Sequence, residues 1–175
     1  MASKVLVACV GNIFLGDDAF GVEVANRLRQ ESLPQDVKVV DFGIRSYDLA
    51  YALMEPWDDV ILVDALPRGG EPGTVYVLEP ELPGEGANAE SFAIDAHSMN
   101  PVAVLQMVRA LGGTITRMRV VGCEPSSVEP DGTGNLGLSP PVEAAMSAAI
   151  ETIKRLIDRE RSRSFDCVAK QQRQE

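Results

Sequence analysis

Two adjacent acids, Asp17 and Asp18, close the stretch GNIFLGDD, which has the glycine spacing of a phosphate-cradling loop. Such a loop works because backbone N–H groups, a lysine and a helix N-terminus all attract anions. Carboxylates in that place reverse the field, so the stretch is expected to repel phosphate and attract a cation. Further donors must come from elsewhere in the chain. Asp64 ends the apolar run VILVD, and His97, the one histidine, stands in DAH shortly before Asn100-Pro101. Two carboxylates and an imidazole form a mixed O,O,N set suited to a borderline divalent ion such as Ni²⁺ or Zn²⁺. Three protein ligands with a position left open is the arrangement of catalytic metal sites. The same residues have plainer uses. Asp17 and Asp18 can cap a helix, each contributing about 0.5–1 kcal/mol; Asp64 can be a strand-end acid satisfied by backbone N–H groups; His97 can be an ordinary loop residue. Spacing alone leaves both readings open.

These residues can meet only if the intervening elements bring them to one edge. Val5 to Val10 is apolar on both faces, as in a buried parallel strand, and it stops at Gly11. Asp17 then predicts the cap of a helix running to about Arg29, with Gly21, Val24, Ala25 and Leu28 facing inward. Val37 to Asp41, Val60 to Asp64 and Arg117 to Gly122 read as further strands, Tyr47 to Met54 as a short helix, and Thr74 to Leu78 as an antiparallel edge strand. Asn100-Pro101 opens a helix whose face is Val104, Leu105, Val108 and Leu111; Ser139-Pro140 opens the last, with apolar residues from Val142 to Ile157 at helical spacing. Residues 79–90 read as a surface loop. The alternation predicts an α/β three-layer sandwich. Its mainly parallel, twisted sheet of about five strands has helices on both faces and all parallel strand C-termini at one edge, where ligands bind. Residues 1–158 are read as one domain and 159–175 as a polar tail expected to fray.

The totals narrow the function. With 16 Lys+Arg against 26 Asp+Glu, a net charge of -10 and a pI of 4.6, the chain is a poor partner for nucleic acid or an anionic membrane. Cys9, Cys123 and Cys167 show no C-x-x-C spacing, which points to a reducing cytoplasm rather than a disulfide framework. Cys9 reads as a buried strand residue and Cys123 as a strand-end residue, both structural rather than nucleophilic. No apolar run reaches signal-peptide or membrane-spanning length, so a soluble, unexported protein is the expectation.

Five blocks in order, GNIFLGDDAFGVEVANRL, DFGIRSYDLAYAL, VILVDALPRGGEPGTVYVLE, DAHSMNPVAVLQM and GCEPSSVEP with LSPPVEAAMSAAIETI, make the chain resemble the hydrogenase maturation endopeptidases from Val5 to about Ile157. The resemblance implies an aspartic-type protease that removes a short C-terminal extension from the large-subunit precursor of a NiFe hydrogenase after nickel insertion; a monomer is the expectation. It places metal contact and catalysis on Asp18, Asp64 and His97, and substrate inspection on Asp41 and Gly43 of the DFG segment. Phe42 stands where many relatives have glycine. Cysteine thiolates of the precursor outcompete so incomplete a shell for nickel, so the ion is expected to arrive with the substrate, while another divalent ion can occupy the site in vitro. A different class of function also fits: a non-catalytic, nickel-dependent checkpoint or chaperone for the same precursor. A nucleotide- or flavin-binding domain is disfavoured by the glycine spacing and the two acids. Glu124, before Pro125, is expected to be solvated, and Arg45 and Arg68 to balance an acidic surface, although each lies where a substrate tail could pass.

Overall fold

The computed structural model describes residues 3–80, 101–126 and 136–171. Its centre is β1 (Val5–Val10), parallel to β2 (Val37–Gly43) on one side and to β3 (Asp59–Ala65) on the other. Beyond β3 lies β5 (Met118–Cys123), also parallel, and β4 (Val75–Leu78) closes the sheet antiparallel to β5, giving the order β2-β1-β3-β5-β4. The edge strand predicted from Thr74 to Leu78 is therefore present, paired with the last strand rather than with its sequence neighbour.

Every residue of β1, β3 and β5 is buried, because the sheet is covered on both faces. Alternate residues serve alternate layers. Val5, Val7, Cys9, Ile61, Val63 and Val121 pack against α1 (Phe20–Leu28) and α4 (Pro140–Gln171). Leu6, Ala8, Val10, Val60, Leu62 and Val120 pack against α2 (Ser46–Leu53) and α3 (Pro101–Ala110). Gly21, Val24, Ala25 and Leu28 are buried as the helical spacing requires. Leu111 is not: α3 ends at Ala110, and the next side chain turns to solvent. Phe42 is buried against α2, which gives the DFG segment's departure from glycine a packing role.

Toward the N-terminal edge of the parallel strands, Arg119 lies buried in β5 and pairs with Asp59 at the start of β3, with Leu156 O accepting a further bond from its guanidinium at 3.2 Å. The helical backbone of α4 continues to Gln171, through the segment whose composition predicts fraying from about Arg159. The first turn past Ile157 is tied down, since Glu160 pairs with Arg117 and Arg161 with Asp36. Among the described residues no helix is long and apolar enough to cross a membrane.

Candidate functional site

After β1 the chain turns through residues 11–15 into a 3-10 turn, Gly16–Ala19, before α1 begins. Gly11 has φ +141°, and a Cβ there would stand 2.0 Å from the carbonyl oxygen of Asp18, so only glycine lets the turn fold back so closely. The fold-back fixes Asp18. Its carboxylate accepts a bond from the Asn12 N–H at 2.9 Å, and its carbonyl oxygen lies 3.2 Å from the same nitrogen. Asp64 stands near the end of β3, on the sheet face that carries Leu62 and Val60, and is buried.

Burial pushes the carboxyl pKa of Asp64 well above the ordinary range, the charge of Asp18 pushes it further, and one bond from the Ala65 N–H opposes them. Burial also raises Asp18, against the Asn12 bond. The two predicted ligands are thus brought close enough to feel each other's charge. Neither has a Lys or Arg partner among the described residues. His97 lies outside the described residues. Within them, no three His, Cys, Asp or Glu side chains gather into a ready-made metal shell.

Asp17 does something other than cap its own helix. It is buried, makes no capping bond to α1, and reaches across to the β5–α4 connection. Its Oδ1 accepts from Ser139 N at 2.6 Å; its Oδ2 accepts from Ser126 N and from Ser139 Oγ, each at 2.8 Å. The expectation of a solvated Glu124 is also overturned. This side chain is buried and accepts from the N–H groups of Arg68 and Gly69 at 2.9–3.0 Å and from Tyr76 Oη at 2.8 Å. Burial alone would raise its pKa, but the combined hydrogen bonds bring it below the usual glutamate value. The loop after β3 needs an acceptor for its free N–H groups, and β5 supplies one. No short-range pattern signals either role.

Asp41 reaches the same edge but its Oδ1 accepts from the Gly43 N–H at 2.8 Å, and its carbonyl accepts from Arg45 Nη2 at 2.5 Å. It pairs in register with Cys9, on the face opposite that of Asp64. Gly43 in turn accepts from Gly11 N at 3.1 Å, locking the loops after β1 and β2 together. Arg45 also pairs with Asp48, and the Arg68 guanidinium sits 5.6 Å from the centre of the Tyr76 ring. Cys9 and Cys123 are free and buried. Burial raises both thiols, Cys123 to about 11, so neither presents a thiolate nucleophile at neutral pH.

The sequence profile described as HycI, hydrogenase maturation protease, matches residues 22–156. The hydrogenase 2 maturation protease of Escherichia coli strain K12 is 33% identical over 153 residues, which cover 86% of this chain and 88% of the relative. A putative hydrogenase maturation protease of Methanocaldococcus jannaschii is 34% identical over 155 residues, covering 85% of this chain and 93% of the relative. Among solved structures, the hydrogenase maturating endopeptidase HybD from E. coli superposes with a TM-score of 0.74 at 31% identity, covering 89% of this chain and 93% of that one.

Proposed function

The chain belongs to the hydrogenase maturation proteases, and on that premise we propose that it removes the C-terminal extension of a NiFe-hydrogenase large-subunit precursor and reads the precursor's nickel as the signal to cut. The observation that carries this is the Asp18–Asp64 pair. Two partly or wholly buried carboxylates without a cationic neighbour among the described residues are costly when ionised, and an arriving divalent cation removes that cost. Oxygen donors from the turn before α1 and from near the end of β3, with a third ligand from His97, form a shell that nickel already held by precursor thiolates can complete without leaving them. The topology supports His97 in that role. α3 packs on the face to which Asp64 belongs and precedes β5, so its first residue, Pro101, lies at the C-terminal edge of the sheet, and His97 precedes it closely in sequence.

Cleavage adds one water across a peptide bond, and a divalent ion at these oxygens would polarise the scissile carbonyl or acidify the attacking water. Asp18, Asp64 and the loop around Asp41 and Gly43 set where that peptide lies. A protein substrate also needs contact area beyond the acids. Phe14 on the loop after β1, Ile44 just after β2 and Tyr47 at the start of α2 are 65%, 68% and 69% exposed, at the same C-terminal edge of the parallel strands as the acids. Cys9 and Cys123, free and buried, suit a reducing cytoplasm, where we place the protein as a monomer.

The test is to incubate the purified protein with nickel-loaded and nickel-free precursor and to follow the large subunit by mass. Loss of the extension from the loaded form alone is the expected result; binding without mass loss would instead identify a checkpoint. Asp18→Asn and His97→Ala are each expected to abolish cleavage in a folded protein, and Asp18→Glu to be tolerated. Wild-type rates in the first two would remove the site.

A further inference from the structure

We propose that Asp17 is a positioning residue: it clamps the turn that carries Asp18, so that the second acid of the pair is held in the cleft by the first. This rests on the reading of Asp18 given above. The turn Gly16–Ala19 is gripped from two sides. On the β1 side, Asn12 N meets both the carbonyl and the carboxylate of Asp18. On the far side, the Asp17 carboxylate takes three hydrogen bonds from the two ends of the β5–α4 connection, whose serines also bond to each other, Ser126 Oγ to Ser139 Oγ at 2.8 Å.

The chemistry of the second grip explains the residue type. Ser139 immediately precedes Pro140, the first residue of α4, so its N–H belongs to the positive end of a long helix, where an anion is stabilised. A buried aspartate there has its charge met by N–H and O–H donors and is not a spare metal ligand. The pair therefore divides its work. Asp17 holds the frame, and Asp18, one residue on, has a single N–H donor to its carboxylate among the described residues and lies close enough to Asp64 to feel its charge. Asparagine cannot substitute for Asp17, because in either orientation its NH₂ group confronts a backbone N–H, that of Ser139 at the Oδ1 position or that of Ser126 at the Oδ2 position.

Asp17→Asn is expected to lower kcat on nickel-loaded precursor about 100-fold through misplacement of Asp18, with KM changed by less than about twofold. Amide exchange gives a readout independent of catalysis. The Asn12 N–H should exchange about tenfold faster in the variant while the Val7 and Ile61 amides keep their protection. Wild-type kcat with an unchanged Asn12 rate would overturn the proposal. So would a fall in kcat matched by equal loss of protection at Val7 and Ile61, which marks general destabilisation only. Where Asp17→Asn does not fold, Ser139 carries the comparison: Ser139→Ala should lower kcat and loosen Asn12, and Ser139→Thr, which keeps the hydroxyl, should restore both. Ser139→Ala behaving as wild type would overturn it. Asp18→Asn, run in parallel, separates the two claims: wild-type cleavage there sinks the site, whereas the Asn12 exchange rate still reports the clamp.

Discussion

Asp64 is a poor place for a negative charge until something positive visits. Burial and Asp18 both raise its pKa, so folding without a cation works against its ionisation at neutral pH. Asp64→Asn should therefore abolish cleavage and yet stabilise the resting protein at pH 7 by about 1 kcal/mol, which for this size raises Tm by roughly 2–4 °C by calorimetry. A lower Tm in the variant would mean that the carboxylate is structural. Glu124 is the opposite case. Its folded pKa is depressed below the ordinary 4.5, so its ionised form contributes stability that is fully present above that value and is lost as pH falls through the folded pKa. Glu124→Gln is expected to cost about 1–3 kcal/mol in denaturant unfolding at pH 7, because Arg68 N, Gly69 N and Tyr76 Oη lose a charged acceptor. The gap from wild type should narrow as pH drops below about 4.5.

The elements hold these residues through contacts that leave little slack. α1 crosses the ends of β1 and β3 at Gly21, where an added Cβ would lie 2.1 Å from Val10 O and 2.5 Å from Val63 O. Gly21→Ala is expected to lower stability by about 1–3 kcal/mol, read from denaturant midpoints, because the helix must lift from the sheet. β1 and β3 were legible as apolar runs because the middle of a sheet covered on both faces has no polar side to confuse the pattern. α4 was legible from its spacing, and the nearness of Asp18 and Asp64 from the parallel order that carries both toward one sheet edge. Asp17 and Glu124 were not. The bonds of Asp17 go to residues 109 and 122 positions away, and those of Glu124 to a loop 55 and 56 positions back, so no local pattern could carry them. Asp17 sits where helix-capping statistics give a ready and different answer. Leu111 was misread for a related reason: where a helix stops depends on which neighbours it can still reach.

At the scale of the molecule, the rim bearing the acids is also where large apolar side chains face solvent. Exposed apolar groups beside polar residues mark contact surfaces. Phe14→Ser and Tyr47→Ser should each raise KM for precursor about tenfold, the usual cost of losing an aromatic anchor, with kcat unchanged in steady-state kinetics. An unchanged KM in both would place the docking surface elsewhere. The order of the sheet carries a last consequence, for synthesis. β5 lies between β3 and β4, although the chain makes it after both. Until it emerges from the ribosome, β3 presents an open edge with an apolar centre, Val60 to Val63, and β4 has no strand to join. The nascent chain thus passes through a stage with an adhesive flank, when a chaperone is most useful and premature release most hazardous.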